Sequence, residues 1–169
     1  MAKTIQDVRE DIEPQRAYEF EFELLGSTAS GNEELLVQRV NSLSIPSTEN
    51  ETIVINYKSQ QTIHSGRDSS AHTFTVTFRD GIDAAIYKFF KNWKENGINS
   101  MVTGVGTNRD VYAAEANIKL LENDSETVTI LHKFTKVFPT SLGDMSLDYG
   151  SSEVASFDVT FSYDTHTIE

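Results

Sequence analysis

The chain has 169 residues, no cysteine, and 26 acidic against 14 basic side chains, for a formal charge of -12. That length fits one domain able to bury roughly two thirds of its unfolded surface, and the acidic balance excludes a phosphate-gripping nucleic-acid binder, which needs Lys and Arg to displace counterions. The missing thiols exclude disulfides, cysteine nucleophiles and Cys-based zinc sites.

The opening stretch "MAKTIQDVREDIEP" lacks the apolar core of a signal peptide, and no run of about 18 apolar residues is present to span a bilayer. The expectation is a protein without a membrane anchor, kept in the cytosol or released by lysis. Residues 1–16, closed by Pro14, read as an N-terminal arm, and residues 17–169 as one β domain. The domain opens with "YEFEFEL", where Tyr18, Phe20, Phe22 and Leu24 share one parity and Glu19, Glu21 and Glu23 the other. This is strand periodicity, with the aromatic parity in a core.

After the turn "GSTASGNE", the segment "LLVQRVNSLSIP" reads as a strand ended by Pro46. A long hairpin follows around "INYKSQQTIHSG", then the alternating strand "AHTFTVTFRD". The period then changes: in "DGIDAAIYKFFKNWKENG", Ile82, Ile86, Phe89, Phe90 and Trp93 recur at helical spacing. Asp80 is expected to cap this helix, Asp83 to sit in its first turn and Gly97 to end it. Past the loop "INSMVTGVGTNRD", three further strands are expected in "VYAAEANIKLL", "TVTILHKFTKVFP" and "SFDVTFSYD". Many strands with one helix, and no strand–helix alternation, point to a mainly β protein: an antiparallel sandwich or barrel.

Catalytic chemistry finds little purchase. The three glutamates stand ~7 Å apart along one strand, near the lower limit for an inverting glycosidase pair, but they project side by side and do not face one another across a cleft. A solvated or contact face is the better reading. His64, His72, His132 and His166 show no metal-ligand spacing. The run "HSGRDSS" contains Ser, His and Asp but reads as a turn, and "GVGTNR" lacks the third glycine and the strand–helix context of a dinucleotide loop. No cofactor or metal is implied.

The order of elements, with "SLSIP", the hairpin, "HTFTVTF", "FFKNWKENG" including Trp93, and the ending "FTKVFPTSLGDMSLDYGSSEVASFDVTFSYD", resembles the tail tube proteins of contractile-tailed bacteriophages of the T4 type. The resemblance covers nearly the whole chain from about Tyr18. It implies a non-catalytic virion protein, assembled in the host cytoplasm, with an antiparallel sandwich or barrel of the tail-tube type. Six copies close into a ring, and rings stack into a tube whose inner sheets merge around a channel for DNA. The implied partners are further copies of itself, a tail sheath protein, baseplate proteins and a tape measure protein. The same fold could form the tube of a phage-derived injection or bacteriocin device; a carbohydrate-binding sandwich module is the alternative from another class.

Three surfaces are expected on this reading. Ile53, Ile55, Tyr57 and Ile63 of the hairpin make subunit contacts between rings. Glu115, Asn117, Lys119 and Thr129, on the less regular strands, line the channel. Glu19, Glu21 and Glu23, with Asp158 and Asp164, form an acidic surface facing the sheath, because the three most cleanly alternating strands should belong to one sheet with a common core face.

Overall fold

The computed structural model describes residues 14–26, 33–98, 103–145, 147–150 and 152–169. Residues 1–13 of the expected arm, and most of the turn "GSTASGNE", lie outside the described residues. In chain order the elements are β1 (Phe20–Leu25), α1 (Glu33–Arg39), β2 (Val40–Leu43), β3 (Asn50–Tyr57), β4 (Gln60–Asp68), β5 (Thr73–Arg79) and α2 (Ala85–Asn92), which runs into a π-helical turn at Trp93–Ile98. There follow α3 (Arg109–Tyr112), β6 (Ala114–Leu121), β7 (Val128–Leu142), β8 (Ser156–Ser162) and β9 (Thr165–Ile168).

One sheet runs β1-β6-β7-β8-β5-β2, with β9 added to β7, and β3 and β4 form a separate two-stranded ribbon. All pairs are antiparallel. The sheet turns back on itself at β7: its first part pairs with β6 and β9, and its last residues, from Phe138, pair with β8. The corner lies at Lys136, whose φ of 55° is in the left-handed region, next to a register shift opposite Ala114–Ala116. A non-glycine residue there is uncommon, and such bulges bend the bulged strand.

Folding the sheet over makes a two-layer core. Phe22 of β1 lies 6.4 Å from Phe74, 6.2 Å from Phe78 and 6.1 Å from Phe161 by ring centroids, so β1 packs across the core from β5 and β8. The helix closes one side: Phe90 lies 5.0 Å from Phe78 and 5.6 Å from Phe161, and the buried Trp93 donates its ring N–H to the Tyr112 carbonyl at 2.9 Å. Edge-to-face and offset aromatic pairs of this kind add to the area that they bury.

Four expectations change. The three alternating strands do not share one sheet layer, since β5 pairs with β8 while β1 pairs with β6 on the far side of the core; alternation fixes which parity is buried, not which strand lies beside which. The segment "LLVQRVNSLSIP" is helical up to Arg39 and only then a strand, because Leu36 is buried on the face of α1 that meets β1, and Gln38 hydrogen-bonds Glu34 one turn back. Among the described residues there are thus three helical segments rather than one, and "THTIE" supplies a further strand, β9. Tyr18, on the expected core parity, precedes β1 and is exposed, its hydroxyl accepting from Arg16.

The main helix also starts later than its sequence suggests. Ala84 takes the N-cap position in a left-handed conformation. Asp80 reaches in from four residues upstream, its carboxylate accepting from the N–H groups of Ile86 at 3.4 Å and Tyr87 at 3.1 Å while Arg39 pairs with it at 3.2 Å. Asp80 therefore satisfies the free helix N–H groups as expected, but Ile82 is left in the preceding loop, fully exposed. Gly97 does not end the helix; it lies within the π turn, against the Trp93 ring. Phe90→Ala is expected to cost about 3–5 kcal/mol in urea unfolding, whereas Ile82→Ala should change stability by no more than ~0.5 kcal/mol.

Candidate assembly site

The β3–β4 ribbon stands clear of the body, exposed on both faces along almost its whole length. Its register opposes Ile53 to His64, Val54 to Ile63, Ile55 to Thr62 and Tyr57 to Gln60. Ile53, Ile55 and Tyr57 therefore point to one side, and Val54 and Ile63 to the other. Sequence reasoning gathered Ile53, Ile55, Tyr57 and Ile63 into one contact group; the structure divides them between two faces and adds Val54 beside Ile63. At the tip Lys58 adopts a φ of 55°, with its ammonium 5.3 Å from the Tyr57 ring centroid. At the base a bulge brings Gly66 so close to Glu51 that a Cβ would lie 3.0 Å from its carbonyl oxygen, so a side chain there would push the Glu51 backbone aside. An isolated two-stranded ribbon is at best marginally stable in water, and this one is apolar on both sides.

The body presents two unlike outer faces. On the layer that holds β1, β6, β9 and the first part of β7, the register sets Glu21 opposite Lys119 and Glu23 opposite Asn117. The Lys119 ammonium lies 3.1 Å from the Glu21 carboxylate and also pairs with Glu23, which accepts from the Asn117 amide at 3.4 Å. Burial alone would lower the Lys119 ammonium, but the Glu23 and Glu21 carboxylates outweigh it and hold it above the ordinary lysine value. Glu19 is separate: it is buried and accepts from the Ser125 hydroxyl at 2.8 Å. Lys133 pairs with Glu169 at 2.6 Å on the same layer. Glu115 is opposite Leu25 at the far end of β6, and Thr129 is exposed near the start of β7.

The expected separation of a β1 acid row from a channel lining of Asn117 and Lys119 therefore does not occur. The two sets are neighbours on one face because β1 and β6 pair directly.

The other layer, β2, β5, β8 and the end of β7, is dressed in hydroxyls. Thr75 and Thr160 hydroxyls lie 3.3 Å apart, the Thr77 hydroxyl donates to Asp158 at 2.7 Å, and Arg79 donates to Asn41 at 2.8 Å. Since Phe22 and Phe161 meet inside the core, this face and the glutamate face look in opposite directions. Asp158 thus lies on the surface opposite the glutamates. Asp164, just past β8, is drawn into an ion pair with Arg109 at 2.6 Å. The shared acidic face of five residues is overturned by the same fact that separates β1 from β8.

A family model described as phage tail tube protein matches residues 11–169. The chain belongs to that family. No curated protein matches it in sequence. The fold of this tail tube protein is similar to that of a chain in the sheath-tube complex of the PVC extracellular contractile injection system in its extended state, at 18% identity, with 99% of each chain covered and a TM-score of 0.66. A chain in the tube-terminating cap of the anti-feeding prophage is similar at 22% identity, with 94% of this chain and 92% of that chain covered and a TM-score of 0.61. One in the tail of an empty GTA particle matches at 12% identity, 92% and 99% coverage and a TM-score of 0.56. At these identities the likeness concerns the fold.

The tail tube protein also holds a histidine pair that its sequence does not announce. His132 on β7 and His166 on β9 bring their ring nitrogens, Nδ1 and Nε2, to 2.9 Å, and the His166 ring stacks on Phe134 at 4.5 Å. The two are 34 residues apart, so nothing local could have signalled the contact. Burial holds both imidazoles below the ordinary histidine value, and His132 lowers His166 further. Folded pKa values below the unfolded value near ~6.5 mean that the unfolded segment binds protons first, so stability is present above that pH and is lost as pH falls. Lowering the pH from about 7 to 5 should therefore lower the amide protection factors of Thr165–Ile168, taken relative to the intrinsic exchange rate at each pH, before those of the rest of the sheet. His166→Phe should weaken that dependence, leaving the part that comes from buried His132.

Proposed function

We propose that this tail tube protein is a non-catalytic structural subunit whose copies close into six-membered rings, stacked into a hollow tube that serves as a particle component. The observation that carries this reading is the ribbon: none of the described residues covers the apolar side chains on its two faces, and contact with other copies supplies a cover. A sheath around the tube and a baseplate beneath it fit the sheath-tube and baseplate assemblies named for structural neighbours. A tape measure protein, and DNA passing without specific binding, complete the reading for a phage tail. The similarity to injection-system tubes equally supports a phage-derived device with another cargo.

Only one of the two unlike faces can line the channel in a single-walled ring. The hydroxyl layer suits it better: Thr73, Thr75, Thr77, Asp158, Thr160 and Ser162 offer small neutral groups and one carboxylate, and the one cation on these strands, Arg79, is engaged by Asn41. A wall without free cations gives phosphates nothing to hold. The glutamate face, together with Glu115, Asn117, Lys119 and Thr129, then looks outward. Exposed ion pairs at ~0–1 kcal/mol each give a weak, summed and salt-sensitive grip suited to a basic sheath segment that must later release.

Purified protein should show rings or hollow tubes by negative-stain microscopy; monomers at every concentration would overturn the reading. Tyr57→Asp with Ile63→Asp should leave the circular dichroism unchanged and abolish tubes, and either substitution alone should impair them, because each spoils a different face of the ribbon. Glu21→Gln and Glu23→Gln together should leave naked tubes intact but weaken sheath attachment, more at low salt than at high. Normal sheath assembly on those tubes would mark the glutamates as solvated surface only.

A further inference from the structure

The β2–β5–β8–β7 layer has two distinct ends. β2 leaves it at Leu43 and β5 enters at Thr73, beside Ser162 and Phe138, so the ribbon springs from that end. At the opposite end β7 finishes at Leu142, β5 finishes at Arg79 and β8 begins at Ser156. Two connections emerge there, the one after β5 and the one between β7 and β8. They are joined by a hydrogen bond from Asp80 N–H to the Ala155 carbonyl at 3.1 Å, and Gly143 N–H anchors the second by donating to the Asp158 carbonyl at 2.7 Å.

These connections carry a second concentration of exposed apolar side chains. Ile82, Leu147, Tyr149 and Val154 are all exposed, the last three within eight residues. The second connection is acidic: residues 143–155 contain Asp144, Asp148 and Glu153 and no Lys or Arg, while beside Ile82 the Arg39 guanidinium is paired with Asp80 and Asp83. The ribbon at the other end carries the complementary charge at its tip, Lys58.

We infer that Ile82, Leu147, Tyr149 and Val154 form the seat on which the β3–β4 ribbon of a second copy docks, with its Lys58 against Asp144 and Asp148. The inference rests on the tube reading above and adds the acceptor to it. Donor and seat are different surfaces at opposite ends of one layer, so the contact is heterologous. It does not close after two copies but repeats along an axis, in one direction.

The absence of native cysteine allows a clean test. Tyr57→Cys and Tyr149→Cys, combined in one chain and treated with a short bismaleimide after assembly, should give a ladder of covalent dimers, trimers and longer species on a denaturing gel. Each single variant should give no more than background dimer. Dimers from a single variant as abundant as those from the pair would show a symmetric contact and overturn the inference. Tubes visible by microscopy without a ladder would overturn it while leaving the tube reading standing, and a wild-type protein that never assembles would overturn both. Charge reversal gives an independent reading: Lys58→Glu should suppress tubes, and Asp144→Lys with Asp148→Lys in the same chain should restore them. Failure of that rescue in a chain with unchanged circular dichroism would count against the assigned seat.

Discussion

The bend in β7 is the constraint on which the molecule depends. A strand of 15 residues cannot stay in one twisted layer while pairing with β6 and β9 at one end and β8 at the other. It turns at Lys136, and the corner is buttressed from outside. Asp110 pairs with the Lys136 ammonium at 2.6 Å, Arg109 lies over the Phe138 ring at 5.9 Å, and Tyr112 meets Phe138 edge-on at 5.6 Å. The short helix α3 is therefore a brace for the corner. An unfavourable backbone conformation persists where surrounding contacts over-determine it.

Once the corner is made, much else follows. The two layers face each other, which allows Phe22, Phe74, Phe78, Phe90 and Phe161 to form one aromatic core. The same fold-over gives the subunit two outer faces with separate chemistries, carboxylates clamped by lysine on one and hydroxyls on the other. A subunit with such a division is suited to meeting different environments inside and outside a closed ring, and neither face has to compromise.

The sequence carried the class of the fold and the parity of its strands because alternation of Phe and Val with Glu and Thr is a local property. Phe22, Leu24, Phe74, Val76, Phe78, Phe157, Val159 and Phe161 are buried as that pattern requires. Neighbour relations were not local. Whether Glu21 faces a sheath with Asp158 or grips Lys119 depends on β1 joining β6, and nothing within "YEFEFEL" encodes that choice. The ribbon was legible from its length and from Ile53, Ile55, Tyr57 and Ile63, but its division into two faces depends on the register that opposes Val54 to Ile63. The helical turn before β2 was missed because "LLVQR" satisfies either period, and tertiary packing of Leu36 decides it.

In the tube proposed above, the ribbon has a kinetic consequence. Since no described residue covers it, its ordering entropy would be offset only when it lands on another molecule, so a first encounter between two free copies would bear that cost twice over for a single contact. An existing ring offers several prepared landing places at once, and each arrival meets neighbours already held in register. On the proposed stacking, such a protein should linger in solution and polymerise rapidly once a template exists, with the length and timing of the polymer governed by whatever provides the first ring.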